Sequence, residues 1–309
     1  MFIPPFPAAR YRFNCVADTP LHLREYAGST LRGAFGHALK KTVCVTHEAD
    51  CKACALYRSC AYPAVFEPPA PATHSVQKFS QIPAPFVVEP PPWGERHYAP
   101  GEGFSFHMVL VGHALKHLPL IIHAWQRALG AGVGVGDGRA QLAHVQHCLP
   151  DGDTCIFDSA DGTLQPHRAE LPPAPPAQTY VTLDFATQLR LQHNSKPLGV
   201  GEISAQRLLV GLIKRSALMS EFHTGQKLDL DFAALADAAG KINDQRHLVW
   251  RDWTRYSSRQ KQEMQLGGVI GQWTLTGDLA PFWPFLHLGQ WLHVGKNASF
   301  GLGRYVLQD

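Results

Sequence analysis

Residues 119–145, PLIIHAWQRALGAGVGVGDGRAQLAHV, and residues 284–308, PFLHLGQWLHVGKNASFGLGRYVLQ, follow one plan. Each passes from a proline through an apolar helical pattern into a glycine-rich loop that closes on G-x-G-R, and then into a strand pattern. In both, the first glycine of G-x-G-R lies seventeen residues after the proline. Two copies are too few for a solenoid, so the repeat predicts two similar α+β domains in tandem. The order of elements also bears on chemistry. In dinucleotide folds and P-loops a strand precedes the glycines and a helix follows, which aims free helix N–H groups at a phosphate. Here each loop follows a helix and enters a strand. GVGVGDG has no Gly-Lys-Ser/Thr, and Lys296 stands at the wrong end of its loop, so nucleotide binding is disfavoured.

The rest of the chain fits two domains. At 309 residues it has ample core, and 45% hydrophobic with 17% charged residues describes an ordinary folded protein. The net charge of +3 neither demands nor excludes a polyanionic partner. No apolar run matches a membrane span, and MFIPPFPAARYRF does not read as a signal peptide; a cytoplasmic location without membrane partners is expected. The proline-dense LPPAPPAQ (171–178) is the best boundary, giving domains 1–172 and 173–309. The first domain reads as a strand at 10–17, a helix at 28–43 with Ser29 or Thr30 as N-cap, and an extended, nearly helix-free stretch at 62–100. A β-rich run at 103–112, a helix at about 114–129 and a strand at 140–147 complete it. The second opens with a strand at 179–192 and a helix at 204–223, with Ser204 as N-cap and Leu208, Leu209, Leu212, Ile213 and Met219 on one face. More helix, a glycine-interrupted strand at 264–277, a short helix and a final strand follow.

Four of the seven cysteines cluster as C-x6-C-x2-C-x5-C in TVCVTHEADCKACALYRSCAY: Cys44, Cys51, Cys54 and Cys60. An odd total without a secretory signal argues against a disulfide framework. Four thiols this close suit one tetrahedral ion. A structural Zn2+ is the first choice, an iron–sulfur cluster the alternative and unliganded thiols the bland reading. His47 lies inside the cluster and is a substitute ligand.

HVGKNASFGLGRY at the C-terminus resembles the glycine-rich signature of the RAMP (repeat-associated) superfamily of CRISPR proteins, and of its pre-crRNA-processing endoribonucleases in particular. LRGAFGHAL, the first G-x-G-R loop, WRDWTRYSSRQ, MQLGGVIG and TGDLAPFWPFLHLGQ agree in family order. The resemblance implies two tandem ferredoxin-like (RRM-like, βαββαβ) domains, the cysteine cluster being an insertion in the first. It implies a protein that binds CRISPR repeat RNA, cuts it once per repeat, often stays on the crRNA product, and needs neither metal nor small-molecule cofactor for the cut. The ribose 2′-OH attacks in line and leaves a 2′,3′-cyclic phosphate and a 5′-OH. A CRISPR effector complex is a further expected partner.

That chemistry needs a base, an acid and donors for the phosphorane charge. The family commonly places a catalytic histidine on or just after the first helix, which points to His37, with Lys40 and Lys41 near it for the phosphorane. His47 is the runner-up and His22 the third candidate; Tyr26 is an orienting candidate by proximity alone. Lys296 and Arg304 flank the C-terminal glycines Gly295, Gly301 and Gly303, and all five are assigned to RNA, the glycines letting the backbone approach its phosphates closely. Arg139 with Asp137 in the first copy reads as mainly structural. In WRDWTRYSSRQK, Arg251, Arg255 and Arg259 fall on one face if helical, and Arg255 and Arg259 are assigned to RNA, with Trp250 and Trp253 left to the core. Lys214 and Arg215 read as a solvated helix face. Two rivals remain: a non-catalytic RNA-binding subunit of an effector complex, and a metal or redox protein centred on the cysteines.

Overall fold

A computed structural model of the chain describes residues 6–71, 82–257 and 262–308. The contacts divide it into two units. Among the described residues one comprises 6–172 and Leu218–Gln226, the other Pro173–Ala217 and 227–308. Leu218–Gln226, assigned from the sequence to the second domain, thus belong to the first unit.

The first unit contains β1 (Ala8–Ala17), β2 (Leu21–Leu23), α1 (Gly28–Val43), α2 (Ala61–Phe66), β3 (Phe86–Glu89) and β4 (Arg96–Tyr98). β5 (Gly103–Val111), α3 (Leu118–Ala131), β6 (Ala140–His147) and β7 (Thr154–Asp158) follow. Its sheet runs β3-β5-β1-β6-β7, every pair antiparallel. Setting aside β7, the plan is βαββαβ with the first and third strands central. Alternation along β1 buries Tyr11, Phe13 and Cys15 in a core with Phe35 of α1, Phe86, Phe106 and Trp125 of α3. Phe35 stacks on Trp125 at 5.2 Å and Phe13 on Phe106 at 5.2 Å. Gly36 has a packing reason: a Cβ there would overlap the Phe66 ring, so the bare backbone lets α2 lie against α1.

The second unit contains β8 (Tyr180–Leu189), β9 (Gln192–His193), β10 (Lys196–Pro197), α4 (Ala205–Thr224, as far as Ala217), α5 (Phe232–Ala239), β11 (Asn243–Arg251), β12 (Thr254–Ser257) and β13 (Gln262–Gln265). β14 (Gly268–Thr276), α6 (Trp283–Leu292) and β15 (Tyr305–Gln308) complete it. Its main sheet runs β11-β14-β8-β15, again antiparallel, in the same βαββαβ order as the first. The chain is therefore a double ferredoxin-like α+β fold, and the G-x-G-R repeat marks the second-helix-to-fourth-strand connection in each copy. Phe185, Trp273, Phe282, Phe285 and Tyr305 form its core with Leu208, Leu209, Leu212 and Ile213 of α4. Ser204 caps α4, its Oγ accepting from Arg207 N at 3.3 Å. Among the described residues no helix is long and apolar enough to cross a membrane.

Several expectations are corrected. α1 begins after Ala27 with no side-chain cap, so neither Ser29 nor Thr30 serves as N-cap. The 62–100 stretch carries helix α2, with Pro63 tolerated because it sits in the first turn. WRDWTRY is not helix: Arg251 ends β11, Asp252 and Trp253 connect, and Arg255 lies on β12, so the four-residue spacing does not align the arginines on a helix face. Arg259 lies outside the described residues. Arg215 is not simply solvated; its Nε donates to Leu292 O at 2.7 Å and satisfies a C-terminal carbonyl of α6.

Candidate active site

Helix α1 sorts its residues by periodicity. Leu31, Phe35 and Leu39 are buried, whereas Gly33, His37 and Lys41, spaced four apart, form an exposed stripe. Lys40 turns the other way: it lines the cysteine pocket, with its ammonium 6.0 Å from the Tyr62 ring centroid. Lys41, rather than Lys40, therefore shares the face of His37. His47 stands beyond the helix end, three residues after the C-cap Cys44, and is exposed with φ +56°. A non-glycine residue in the left-handed region is uncommon, and such conformations gather at functional sites. Among the described residues the other histidine with positive φ is His293, which is fully buried with its Nδ1 3.2 Å from Leu302 O.

A second constellation was only partly visible in the sequence. β2 and β4 pair so that His22 faces His97 directly across the ladder. Their rings stack at 4.2 Å, and Glu95 reaches His22 Nε2 at 2.5 Å and His97 Nε2 at 3.8 Å. Leu21 and Leu23 point inward and place His22 on the outer side of the strand. A carboxylate bound to one imidazole fixes its orientation. Glu95 and His97 were missed because some seventy residues separate them from His22, and only strand pairing joins them. Tyr26 is buried and stacks on Trp93 at 5.4 Å.

Both glycine loops fold back on their own unit. In the first, Val135 N donates to His22 O at 2.9 Å, and a Cβ on Gly134 would overlap that same carbonyl. The loop thus holds the backbone that presents His22. Arg139 is exposed, and its backbone closes the turn, N to Thr19 Oγ1 at 2.8 Å. In the second, Gly303 N donates to Gln188 O at 2.9 Å, Lys296 N to Arg190 O at 2.9 Å and Thr187 Oγ1 to Gly301 O at 2.8 Å. A Cβ on Gly295 would stand 2.7 Å from Arg190 O, and one on Gly303 would overlap Val294 O. The left-handed freedom of these glycines is taken up by protein backbone; of the two flanking cations, Lys296 is exposed and Arg304 half-buried. Trp253 is buried as expected, while Trp250 is part-exposed with its indole N–H on Asp252 Oδ1 at 2.7 Å.

All seven cysteines are free thiols. Cys44, Cys51, Cys54 and Cys60 line one pocket between the C-terminal end of α1 and the start of α2, yet no three of their sulfurs lie within 4.8 Å of one another. Among the described residues the group that meets that criterion is His22, Glu95 and His97.

Comparison with known proteins places these units. Residues 6–169 match the family model of the AF_1859 N-terminal domain, and residues 183–305 match that of the CRISPR-associated endoribonuclease Cas6. An uncharacterised protein of Archaeoglobus fulgidus is 33% identical over 301 residues, 93% of each chain. Among solved structures, the product complex of a Thermus thermophilus Cas6 matches with a TM-score of 0.58 at 15% identity, over 97% of this chain and 99% of that one. A partial Cas6-RT-Cas1–Cas2 complex gives 0.59 at 16% identity, over all of this chain and 47% of that one. At such identities these two likenesses speak for the fold.

Proposed function

Because the chain belongs to the Cas6 family of CRISPR-associated RAMP proteins, we propose that it cuts CRISPR precursor RNA within the repeats and retains the crRNA product. The reaction in this reading is metal-independent attack of the ribose 2′-OH on the adjacent phosphate. A base removes the 2′-OH proton, the 5′ oxygen leaves with a proton from an acid, and the products are a 2′,3′-cyclic phosphate and a 5′-OH.

The observation that carries the choice of base is the left-handed backbone of His47 at the exposed end of α1. This moves the role from His37, the leading candidate by sequence, to its runner-up. Lys41 and His37, exposed on the adjoining helix, supply positive charge and a hydrogen-bond donor toward the phosphate. Lys296 and Arg304 hold RNA backbone on the second unit. A second reading has its own observation: His22, oriented by Glu95 and stacked on His97, has the geometry of an acid–base pair.

The test incubates labelled repeat RNA with the protein in EDTA and compares His47→Ala, His37→Ala and His22→Ala with wild type. His47→Ala is expected to slow cleavage by about 10²–10⁴-fold, and the other two by less than about 10-fold. An undiminished His47→Ala enzyme contradicts the assignment, and a loss confined to His22→Ala moves the base to the Glu95-linked pair. Binding of cognate repeat RNA without any cleavage would identify a non-catalytic crRNA-binding subunit instead.

A further inference from the structure

The loop between α1 and α2 is built inside out. Its aliphatic residues face solvent, Val45 at 74% and Leu56 at 41% exposure. From Val45 to Ser59 the half-buried residues are Cys51, Cys54 and Tyr57, and every other side chain is exposed. Cys44 is the C-cap of α1 and Cys60 the N-cap of α2, so the remaining two thiols stand at the points where the loop leaves and rejoins the helices. An ordered loop has to offset roughly 1–2 kcal/mol of backbone entropy per residue. A loop that turns its aliphatics outward cannot do so by hydrophobic burial, nor do disulfides close it, since all four cysteines are free.

We propose that Cys44, Cys51, Cys54 and Cys60 form a four-thiolate metal centre, filled by Zn2+ or by an iron–sulfur cluster, that staples the end of α1 to the start of α2. The spacing supplies four soft ligands and a C-x2-C pair within one pocket. A short 3-10 turn at Cys51–Ala53, capped by Asp50 accepting from Lys52 N at 2.9 Å, sets the C-x2-C pair. Thr46 Oγ1 lies 3.3 Å from Cys54 Sγ, a hydroxyl placed to donate to a thiolate. Exposed Lys52 and Arg58 and the Lys40 ammonium beside the pocket offset the charge of four thiolates. Loading the centre releases the thiol protons and draws the sulfurs together from their present spread. His47 lies within the stapled loop, so the centre is structural and fixes that residue's surroundings without entering the cleavage.

The whole chain is purified from aerobic and from anaerobic preparations, and metal, sulfide and absorption spectra are measured. About one zinc per chain without visible absorption identifies the zinc centre, and about four irons with matching sulfide and broad visible absorption identifies the cluster. Either supports the proposal. Cys148→Ser is expected to keep full loading and Cys51→Ser/Cys54→Ser to lose it. Should the double variant fail to fold, thiol counting on wild type decides. The four clustered thiols are then expected to resist a disulfide reagent until the metal is displaced, while the exposed Cys155 reacts at once. Less than about a tenth of a metal per chain in both preparations, with the four thiols reacting as fast as Cys155, overturns the proposal. Metal retained by a folded double variant does so equally. Metal content and RNA cleavage are read separately, so this site stands or falls apart from the enzymatic assignment.

Discussion

Replacing Gly303 by alanine tests whether the C-terminal glycine signature is a backbone latch. Gly303 sits at φ +68°, a region that costs an L-residue with a Cβ about 1–2 kcal/mol. The new Cβ would also overlap the Val294 carbonyl oxygen, a backbone atom that yields only if the loop moves. Movement endangers two bonds, Gly303 N to Gln188 O at 2.9 Å and Val294 N to Gly303 O at 3.2 Å. Each buried backbone bond left unmade costs about 1–3 kcal/mol. The expected loss is therefore about 3–8 kcal/mol, a large part of the ~5–15 kcal/mol that typically holds a domain. The internal control is Gly136→Ala in the first copy. It too has positive φ, +77°, but nothing lies within 4 Å of the added Cβ, so only the conformational cost of about 1–2 kcal/mol applies. Urea unfolding followed by circular dichroism measures both variants at one pH and temperature. A Gly303→Ala loss within about 1 kcal/mol of that for Gly136→Ala refutes the latch, and the glycines would then serve approach by a ligand.

Other perturbations separate binding from stability. Lys296→Ala is expected to leave the unfolding midpoint unchanged and to reduce the slope of log K against log salt for repeat RNA by about 0.7–0.9, as for one lost phosphate contact. Arg215→Met keeps the aliphatic stem but removes the donor to Leu292 O; a loss of about 1–3 kcal/mol in urea unfolding is expected. His147 is buried, with Nε2 unpartnered among the described residues, and burial followed by the neighbouring His167 lowers its pKa. The unfolded chain then binds the proton first. Stability is expected to fall as pH drops below about 6.5, until the lower folded pKa is passed. His147→Phe flattens that limb in unfolding measured between neutral and mildly acidic pH.

The sequence revealed most where the pattern was strong. The repeated proline, helix, glycine loop and G-x-G-R disclosed the duplicated unit, and α1, β6 and α4 fall where periodicity put them. β11 escaped because it is an edge strand whose pattern buries only Leu248 fully, leaving no alternation to read. Its arginines and tryptophans then mimicked a helix face. The histidine constellation was half legible: His22, His37 and His47 were nameable from their place near the first helix. Glu95 and His97 join only through the β2–β4 ladder, which no local pattern encodes. In the glycine loops the close approaches are to protein backbone that local pattern does not disclose: Gly134 to His22 O, Gly295 to Arg190 O and Gly303 to Val294 O.

The 2′-OH mechanism is tested most directly by single-turnover cleavage, in EDTA, of a repeat RNA carrying one 2′-deoxy nucleotide immediately 5′ of the mapped cut. The account predicts that this RNA binds like the unmodified one but is not cut there, while unmodified RNA yields a 2′,3′-cyclic phosphate and a 5′-OH. Cleavage of the deoxy substrate at the same bond and rate would contradict it.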